Sequence, residues 1–462
     1  MAAKNKLRDE IDKIPEAKTQ APKNKDKIQK AVDTLKEEYG LDVEPRKNTR
    51  FKIDRATEYL NNNYSFRYNL FVEKPEFKIK NSDGEFRFVD PRGFANIRTK
   101  MKKELNCNYA KDDVEELILT DELSGDYNPI KEYIFSLPNW DGVDRFNDFL
   151  KQIQLENQEQ DQLRLVKHFK MWFVAMVASL VEDHVINEMA LIFTGKQGRG
   201  KTRFFTSLIP KELRLRYYYS GGFNPHDKDQ REMLGTKILI NLDEMATLTR
   251  TDIESIKSAM SERYIILRRA FGRQELQLFR RASFCGSNND EKFLTDQTGN
   301  RRWLPFAIHD IDVKEDFDIG LLYAQALKMY KDKDIKLWLD KQEIDESEEY
   351  NEGFRFVPME EELILATYRK PDKEELAMGL GVEYLTTSEI LHFIASKDDY
   401  KKMNVNDTSL KRMGKALRSL GFEKRPKYFP DLETPRNVWC IKKLESGELA
   451  KINDQHKDES II

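Results

Sequence analysis

The sequence predicts an α/β protein: a parallel sheet flanked by helical segments, followed by a smaller basic domain with the element order of a winged helix. Three observations carry this prediction. Apolar runs of strand length, at 189–194 and 237–242, alternate with helix-like segments in the centre of the chain. A glycine-rich turn follows the first run and leads into a helix start. Near the end, two helix-like segments precede two strand-like ones.

The composition places the chain among globular proteins and excludes several classes. It has 462 residues, 34% charged and 39% hydrophobic, which predicts two to four domains. No apolar stretch approaches the ~20 residues that span a bilayer, and no apolar signal core is present. Cys107, Cys285 and Cys440 lie far apart, a spacing that gives neither a disulfide framework nor a zinc pattern. The sequence therefore predicts a cytoplasmic protein without a membrane segment.

Charge and apolar periodicity divide the chain into seven segments. The net charge is only −3, but residues 401–443 hold twelve Lys or Arg against four acids, a net of +8. A polyanion senses such a local excess. The predicted segments are a disordered basic tail (1–30), a small domain of unknown role (31–126), a helical lead-in (127–185), a core of alternating strands and helices (186–312), a helical acidic connector (313–375), a winged-helix-like basic domain (376–446) and a polar tail (447–462).

The stretch GKQGRGKT at 195–202 fits the phosphate-binding pattern GxxxxGK[ST]. Glycines let backbone N–H groups turn inward around phosphate oxygens, the lysine reaches the β- and γ-phosphates, and the threonine hydroxyl can hold Mg²⁺. A chance glycine turn is the alternative, but this loop follows an apolar strand and precedes an apolar-periodic helix, as the pattern requires. The nucleotide-binding residues are Gly195, Lys196, Gln197, Gly198, Arg199, Gly200, Lys201 and Thr202. The implied cofactors are ATP and Mg²⁺, although the preference for ATP over GTP stays open.

Acidic and amide side chains follow the next two apolar strands. Asp243 and Glu244 end KILINLDE, and ligands bind at that edge of a parallel sheet. We expect Asp243 to share Mg²⁺ with Thr202 and Glu244 to act as the base that positions water. A solvated acidic turn is the alternative. In FCGSNND, either Asn289 or Asn288 could contact the γ-phosphate or the attacking water, although such a pair is ordinarily a turn.

An arginine pair follows a Gly-Asn turn in TDQTGNRRWLPF. Arg301 and Arg302 are either surface charges or the source of a transition-state cation supplied to a neighbouring subunit. The sequence does not distinguish the two arginines.

These motifs together resemble the virulence-associated protein E family. The resemblance rests on LIFTGKQGRGKT, LINLDEM, CGSNNDEKFL and DQTGNRRWLPF, with support from NPIKEYIFSLPNWDGVDRF and HDKDQREMLG. It covers about 128–310 and implies replication NTPases of phages and mobile islands, related to superfamily 3 helicases of the AAA+ class. A hexameric ring and helicase activity are part of what it implies. Asn288 stands where the family more often has a small hydroxyl residue, so Asn289 is favoured at the amide position.

Two basic segments are the candidate DNA contacts. YIILRRAFGRQELQLFRRASF predicts a hairpin, with Arg268, Arg269 and Arg273 near its tip. In the related helicases a hairpin here grips single-stranded DNA in a central pore; an exposed hairpin with solubilising charges is the alternative. The second segment is the helix in DTSLKRMGKALRSLGF, which has a capping Asp, Thr or Ser and an inward apolar stripe. Its outward cations, Lys411, Arg412, Lys415 and Arg418, are candidates for duplex binding; a protein-contact face is the alternative.

The sequence thus favours a Mg²⁺-dependent ATPase that forms a ring, translocates on or unwinds DNA, and serves replication of a phage or mobile genetic element. Two alternatives remain. One is a nucleotide-switched DNA-binding regulator, and the other is an initiator or loader that assembles partners without separating strands. Fold class alone does not separate the three.

Overall fold

The structure is a computed structural model that describes residues 49–245, 248–268, 275–294, 300–396, 405–429 and 434–444. The chain divides into two units, 1–128 and 129–462. A mixed α/β architecture with a parallel sheet is confirmed in the second unit. In the described part of the chain, no helix has both the length and the apolar character needed to cross a membrane.

The first unit is a four-stranded sheet covered by helices. Its elements are α1 Thr49–Asn63, β1 Tyr64–Asn69, β2 Lys74–Ile79, β3 Arg87–Phe88, α2 Pro91–Glu104, α3 Lys111–Ile118 and β4 Ser124–Tyr127. The strand order is β3-β2-β1-β4, with β1 and β4 parallel. Phe66 and Phe77 pack with Ile97 and Met101 of α2 in one core. Asp90 accepts a hydrogen bond from the backbone N–H of Gly93 (2.5 Å) and so starts α2.

The second unit begins with a six-stranded sheet and its flanking helices. Its elements are α4 Pro129–Ser136, α5 Arg145–Leu150, β5 Ile153–Leu155, α6 Gln158–Val181, β6 Ala190–Thr194, α7 Lys201–Ser207, α8 Lys211–Tyr217, β7 Tyr218–Gly221, α9 Lys228–Thr236, β8 Leu239–Asp243, α10 Arg250–Ser261, β9 Tyr264–Leu267, β10 Leu276–Phe279, β11 Ser283–Asn288, β12 Trp303–Ile311, α11 Ile319–Asp332 and α12 Lys341–Glu352. The order is β5-β12-β6-β11-β8-β7, and only β5 is antiparallel to its neighbour. The predicted parallel sheet is therefore present, with β6 near its centre.

Helix α6 explains how the sheet is covered. It contains the apolar stretch at 171–181, and every residue of that stretch is buried. A helix that is apolar on all sides needs partners on all sides. Phe169 and Phe173 stack with 5.7 Å between ring centroids, while Trp172 donates its Nε1–H to the carbonyl of Phe284 in β11 (3.0 Å). This hydrogen bond ties α6 to the middle of the sheet.

The C-terminal part of the second unit is a small sheet with helices. Its elements are α13 Met359–Leu365, β13 Tyr368–Arg369, α14 Lys373–Met378, β14 Glu383–Leu385, α15 Thr387–Ala395, α16 Asp407–Ser419, β15 Glu423–Phe429 and β16 Thr434–Lys443. Strands β13, β14 and β15 all pair antiparallel with β16. Ile364 and Tyr368 belong to the same core as Trp439, so this core begins before the predicted boundary at 375.

The start of α16 corrects one detail of the sequence analysis. The cap is Asn406, not an Asp, Thr or Ser of the stretch beginning at Asp407. The Asn406 side chain accepts a hydrogen bond from the backbone N–H of Ser409 (2.9 Å), and Ser409 Oγ accepts one from the backbone N–H of Asn406 (2.8 Å). This reciprocal pair is a capping box. Asn406 is outside the helical periodicity, so the apolar pattern did not point to it.

Candidate nucleotide site

The glycine-rich loop leaves β6 through a backbone path that requires glycine. Gly195 has φ of 129°, and a Cβ there would lie 2.3 Å from the carbonyl oxygen of Ile308 in β12. Gly200 has φ of 78°, and its Cβ would lie 2.8 Å from the carbonyl oxygen of Ile311. Any side chain at either position would collide with the backbone of β12. The loop is thus fitted closely against the neighbouring strand.

Lys201 is buried inside this loop. Its Nζ donates hydrogen bonds to the carbonyls of Gly195 and Lys196, the latter at 2.9 Å. Burial lowers the pKa of Lys201, while the carboxylate of Asp243 acts in the opposite direction. The ammonium therefore lies at the centre of the loop and within electrostatic reach of the acid on β8. Thr202, the next residue, is exposed at the start of α7.

Strand register brings the acidic and amide residues to the loop. In the parallel pairs, Asn288 lies opposite Thr194, the last residue of β6, and Ser287 lies opposite Asp243. Ser287 Oγ donates a hydrogen bond to Asp243 Oδ1 (2.7 Å). Ser287 was not among the predicted site residues. Its signal was present, because a hydroxyl at the end of the neighbouring strand can orient a carboxylate at the same edge.

Two details of this edge concern Glu244 and the asparagine pair. Glu244 is exposed and has φ of 53°, in the left-handed region that side chains disfavour. Asn288 is buried, and its Nδ2 donates to the carbonyl of Asp290 (2.5 Å). Asn289 is exposed as the first residue after β11. Of the two asparagines, Asn289 is therefore the one whose side chain is accessible.

The oxygen groups of Thr202 and Asp243 are of the kind that Mg²⁺ takes as ligands. The hydroxyl of Thr202 and the carboxylate of Asp243 are hard oxygen donors, and the bond from Ser287 occupies only Oδ1 of Asp243. The described residues contain no group of three or more His, Cys, Asp or Glu that could hold a metal. Mg²⁺ ordinarily uses one or two protein oxygens and completes its shell with phosphate oxygens and water. The donor set therefore fits a metal that arrives with a triphosphate.

The arginine pair lies at the opposite edge of the sheet. Trp303 opens β12 opposite Ala190, the first residue of β6, whereas the phosphate loop follows the last residue of that strand. At about 3.3 Å per residue, the length of β6 puts ~15 Å between the arginines and the loop of the same chain. Arg302 Nη2 donates to Ser261 Oγ (2.7 Å), while Arg301 is exposed. Neither arginine therefore lies close to Lys201 of the same chain.

The predicted hairpin is formed by β9 and β10, which pair antiparallel. Arg268 is exposed at the end of β9, but Arg269 and Arg273 lie outside the described residues. Arg280, just after β10, is buried and donates to three carbonyls, those of Glu262, Ala282 and Asn187, at 2.6–3.1 Å. Its guanidinium fixes the base of the hairpin to the segment before β6. Arg280 is therefore a structural residue.

Helix α16 separates an apolar face from a basic one. Met413, Ala416 and Leu417 are buried in the C-terminal core. The four predicted cations, Lys411, Arg412, Lys415 and Arg418, are all exposed. Arg412 lies 3.9 Å from Glu360, and Arg418 Nε donates to the carbonyl of Gly414 in its own helix (3.1 Å). This arrangement places four exposed cations on the side of α16 that faces away from the core.

Comparison with known proteins gives a family and a set of distant folds. The apo structure of the NrS-1 C-terminal region matches with 14% identity and a TM-score of 0.42, covering 84% of this chain and 98% of that one. An A-form apo structure of the same region matches with 12% identity and a TM-score of 0.43, covering 84% and 99%. No curated protein matches the chain.

Residues 134–356 match the model of the virulence-associated protein E-like domain. The match confirms the resemblance carried by the phosphate loop, the acidic strand and the arginine segment. The match begins at residue 134, inside the predicted window of about 128–310, and extends past that window through α11 and α12. Residues 134–356 of this chain are therefore a virulence-associated protein E-like domain.

Proposed function

We propose that the chain is a Mg²⁺-dependent ATPase that assembles as a ring and translocates on or unwinds DNA during replication of a phage or mobile genetic element. The observation that carries the proposal is the convergence of four groups at one sheet edge. Lys201 is buried in the glycine loop after β6, Asn289 follows the adjacent strand β11, and Asp243 and Glu244 lie at the end of β8, the strand beyond β11. An AAA+-like core is the fold class that the family implies and that this parallel sheet fits.

Each group has a role in phosphoryl transfer to water. The ammonium of Lys201 would bind the β- and γ-phosphates, and the hydroxyl of Thr202 and the carboxylate of Asp243 would hold the metal. Bound Mg²⁺ supplies neutralisation of the phosphate charge that develops during transfer. Glu244 orients the attacking water and accepts its proton, and Asn289 donates its amide N–H to the γ-phosphate or the water. Ser287 fixes the carboxylate of Asp243 by the hydrogen bond to Oδ1.

The position of the arginines supports a ring. Since Arg301 and Arg302 lie at the far edge of their own sheet, an arginine can reach a triphosphate only from a neighbouring subunit. Arg301 is the better candidate, because Arg302 is half-buried and held by Ser261. Repeating the contact with closure gives a ring of identical subunits, with six subunits as in the related helicases.

Two surfaces are proposed to meet DNA. The hairpin of β9 and β10 would place Arg268, with Arg269 and Arg273 beyond it, in a central pore on single-stranded DNA. The order β14, α15, α16, β15, β16 supports a winged helix, in which α16 enters the major groove of a duplex and the β15–β16 hairpin lies against the backbone. Arginine and lysine at both places track phosphates rather than read bases.

The exposed basic face of α16 also favours a second function. It binds a duplex whether or not strands are separated, so a nucleotide-switched DNA-binding regulator or loader uses the same surface. The two functions differ in the hairpin. Only a translocating enzyme requires the hairpin cations for coupling to hydrolysis.

ATP hydrolysis with and without single-stranded DNA, combined with particle mass in the same buffer, tests the proposal. We expect magnesium-dependent hydrolysis, stimulation by DNA and a ring-sized particle. Lys201→Ala should lower turnover at least about a hundredfold, whereas Lys228→Ala, at the same position in α9 as Lys201 in α7, should not. Replacing Arg268, Arg269 and Arg273 together should abolish stimulation and spare basal turnover. Unchanged stimulation would identify the regulator.

A further inference from the structure

A cavity of about 550 Å³ lies beside the phosphate loop. Its lining includes Tyr133, Phe149, Arg203, Thr206, Val313 and Phe317. Cavities that take small organic ligands have volumes of ~300–1,000 Å³. None of the predicted nucleotide-site residues lines it, so the cavity is a feature that the phosphate loop does not explain.

The cavity adjoins the helix that follows the loop holding Lys201. Arg203 is the residue after Thr202, and Thr206 lies one turn further along α7. On the opposite wall, a Cβ at Gly200 would lie 3.6 Å from Cγ2 of Val313. A nucleoside whose triphosphate lies in the loop would therefore be close to this cavity.

One wall of the cavity is aromatic. Phe317 is half-buried and packs on Phe149 with 4.8 Å between ring centroids. Tyr133 lies nearby, and its pKa is raised by burial and by the charges of Glu212 and Asp318. An aromatic wall with a polar rim is the surface that a planar heterocycle needs, because the ring face packs on carbon and its edge requires hydrogen-bond partners.

The rim carries a donor and an acceptor side by side. Both Arg203 Nε and Nη2 donate to Glu315 Oε1, at 3.2 and 2.5 Å. Both bonds end on Oε1, so Oε2 keeps its capacity to accept, and a guanidinium has five N–H donors in all. The same contact with Arg203 lowers the pKa of Glu315, which keeps the carboxylate ionised.

We propose that this cavity binds the adenine of ATP, with Glu315 Oε2 accepting from the 6-amino group and Arg203 donating to the adjacent ring nitrogen. Adenine presents an acceptor next to an amino donor, which matches the Arg203–Glu315 pair. Guanine reverses this order at the same two ring positions, because it has the acceptor O6 in place of the amino group and the donor N1–H in place of the acceptor N1. A guanine in the same orientation would therefore place its oxygen against Glu315 and its N–H against Arg203. The pair thus selects ATP over GTP. This inference rests on the proposed function of the loop.

Equilibrium binding with magnesium tests it, with four probes: ATP, GTP, purine riboside 5′-triphosphate (ATP without its amino group) and inorganic tripolyphosphate. The full-length protein should bind ATP about tenfold more tightly than GTP or the purine riboside compound, the effect of one hydrogen bond to an exposed charge. Glu315→Ala should remove this preference. An unchanged preference in Glu315→Ala, or no preference in the unaltered protein, would overturn the assignment.

A cavity-filling variant provides an independent measurement. Thr206→Trp would place an indole in the cavity, and we expect it to weaken ATP binding about tenfold or more while tripolyphosphate binding is kept. Thr236→Trp is the matched control, because Thr236 Oγ1 bonds the carbonyl four residues earlier, as Thr206 Oγ1 does, on a helix outside the cavity. Normal ATP affinity in Thr206→Trp would also overturn the proposal. Failure of the unaltered protein to bind tripolyphosphate and every nucleotide would instead refute the proposed function.

Discussion

The backbone at Glu244 is held in a conformation that its side chain does not favour. Its φ of 53° places it in the left-handed region, although it follows a regular buried strand. For a residue with a side chain this costs about 1–2 kcal/mol. The next residue, Met245, is buried under β11, where a Cβ at Gly286 would lie 2.8 Å from its sulfur. The packing of Met245 therefore imposes the turn that presents Glu244 at the sheet edge.

We expect Glu244→Gly to stabilise the protein while abolishing ATP turnover. Glycine relieves the strain but adds freedom to the unfolded chain, so the net gain in free energy of unfolding should be about 0.5–1 kcal/mol. Urea denaturation measures it. Glu182→Gly is the control, since Glu182 has φ of −121° and carries no such strain; it should give no gain. A loss of stability in Glu244→Gly would show that the conformation is not strained.

His168 predicts a specific dependence of stability on pH. It is buried in α6, its ring lies 6.2 Å from that of Phe306, and burial lowers its pKa from 6.5 to about 3, with Arg164 and Lys167 acting in the same direction. In the unfolded chain the imidazole takes up a proton near pH 6.5, whereas in the folded chain it stays neutral until about pH 3. Its contribution is thus complete above pH 6.5 and is lost as the pH falls towards 3.

Unfolding titrations between pH 7 and 4 measure this contribution. Replacing His168 with Leu should reduce the slope of unfolding free energy against pH by up to about 1.4 kcal/mol per pH unit, the value for one proton. The exposed His184 is the control, and His184→Leu should leave the slope unchanged. Equal slopes for both variants would mean that His168 is hydrated in the folded state.

At the scale of the elements, β12 determines what Arg301 can do. Strand β12 starts opposite the first residue of β6. In a parallel sheet, the loops that enter the strands lie at one edge and the loops that leave them lie at the other. Arg301 is therefore kept from the phosphate loop of its own chain by the length of the sheet. A shift in this register, not a change of side-chain rotamer, would be required to bring it there.

Mixing inactive variants tests action between subunits. Lys201→Ala and Arg301→Ala should each be inactive alone. Mixed in equal amounts and reassembled, they should recover activity at about a quarter of the interfaces, those where Arg301 faces an intact loop. Steady-state ATPase after mixing measures this. The control mixture, Lys201→Ala with Glu244→Gln, should stay inactive, because both changes affect the same side of the interface. No recovery in the first mixture would contradict a contribution in trans.

The parts of the site that the sequence predicted are those that local order determines. An apolar strand, a glycine loop and a helix start occur consecutively, so the position of Lys201 followed directly from the motif. Asp243 and Asn289 followed because parallel strands end at a common edge. The parallel sheet was predicted from the apolar runs, and the hairpin from the turn between two β-prone segments.

What the sequence could not predict depends on register and burial. The segment that predicts the hairpin also contains Arg280 and Arg281, yet Arg280 is buried among carbonyls and Arg281 pairs with Asp183 (2.9 Å). In the printed sequence a buried arginine and an exposed one look the same. The distinction between Arg301 and Arg302 likewise needed Ser261, which is distant along the chain. The cavity beside α7 also combines residues from separate segments.

Because the molecule as a whole is nearly neutral, its binding to DNA depends on where its charges lie. The net charge is −3, so the chain as a whole does not attract a polyanion. At physiological salt, charges act over about 8 Å, which is less than the span of one domain. Binding to DNA must therefore depend on local surfaces such as the outward face of α16, where four cations project from one side of a single helix.

Replacing the four cations of α16 with glutamine should weaken duplex binding and flatten its dependence on salt. For every phosphate that the variant no longer neutralises, the slope of log K against log salt should fall by about 0.9, giving a change of roughly 2 to 4. Because all four side chains are exposed and the apolar face is untouched, unfolding should be unaffected. The substituted residues are Lys411, Arg412, Lys415 and Arg418. Fluorescence anisotropy with a labelled duplex at several salt concentrations measures both affinity and slope.

A charge-matched variant separates a local contact from a general charge effect. It carries the same number of Lys→Gln changes on the segment that joins α11 to α12, including the residues at the two helix ends. The substituted residues are Lys331, Lys333, Lys336 and Lys341. The total charge changes equally in the two variants, so a weakening of binding shared by both would mean that net charge controls affinity. A weakening confined to the α16 variant, with the salt slope reduced, is the result that α16 as the duplex-binding helix requires. An unchanged slope in that variant would leave α16 without a role in DNA binding.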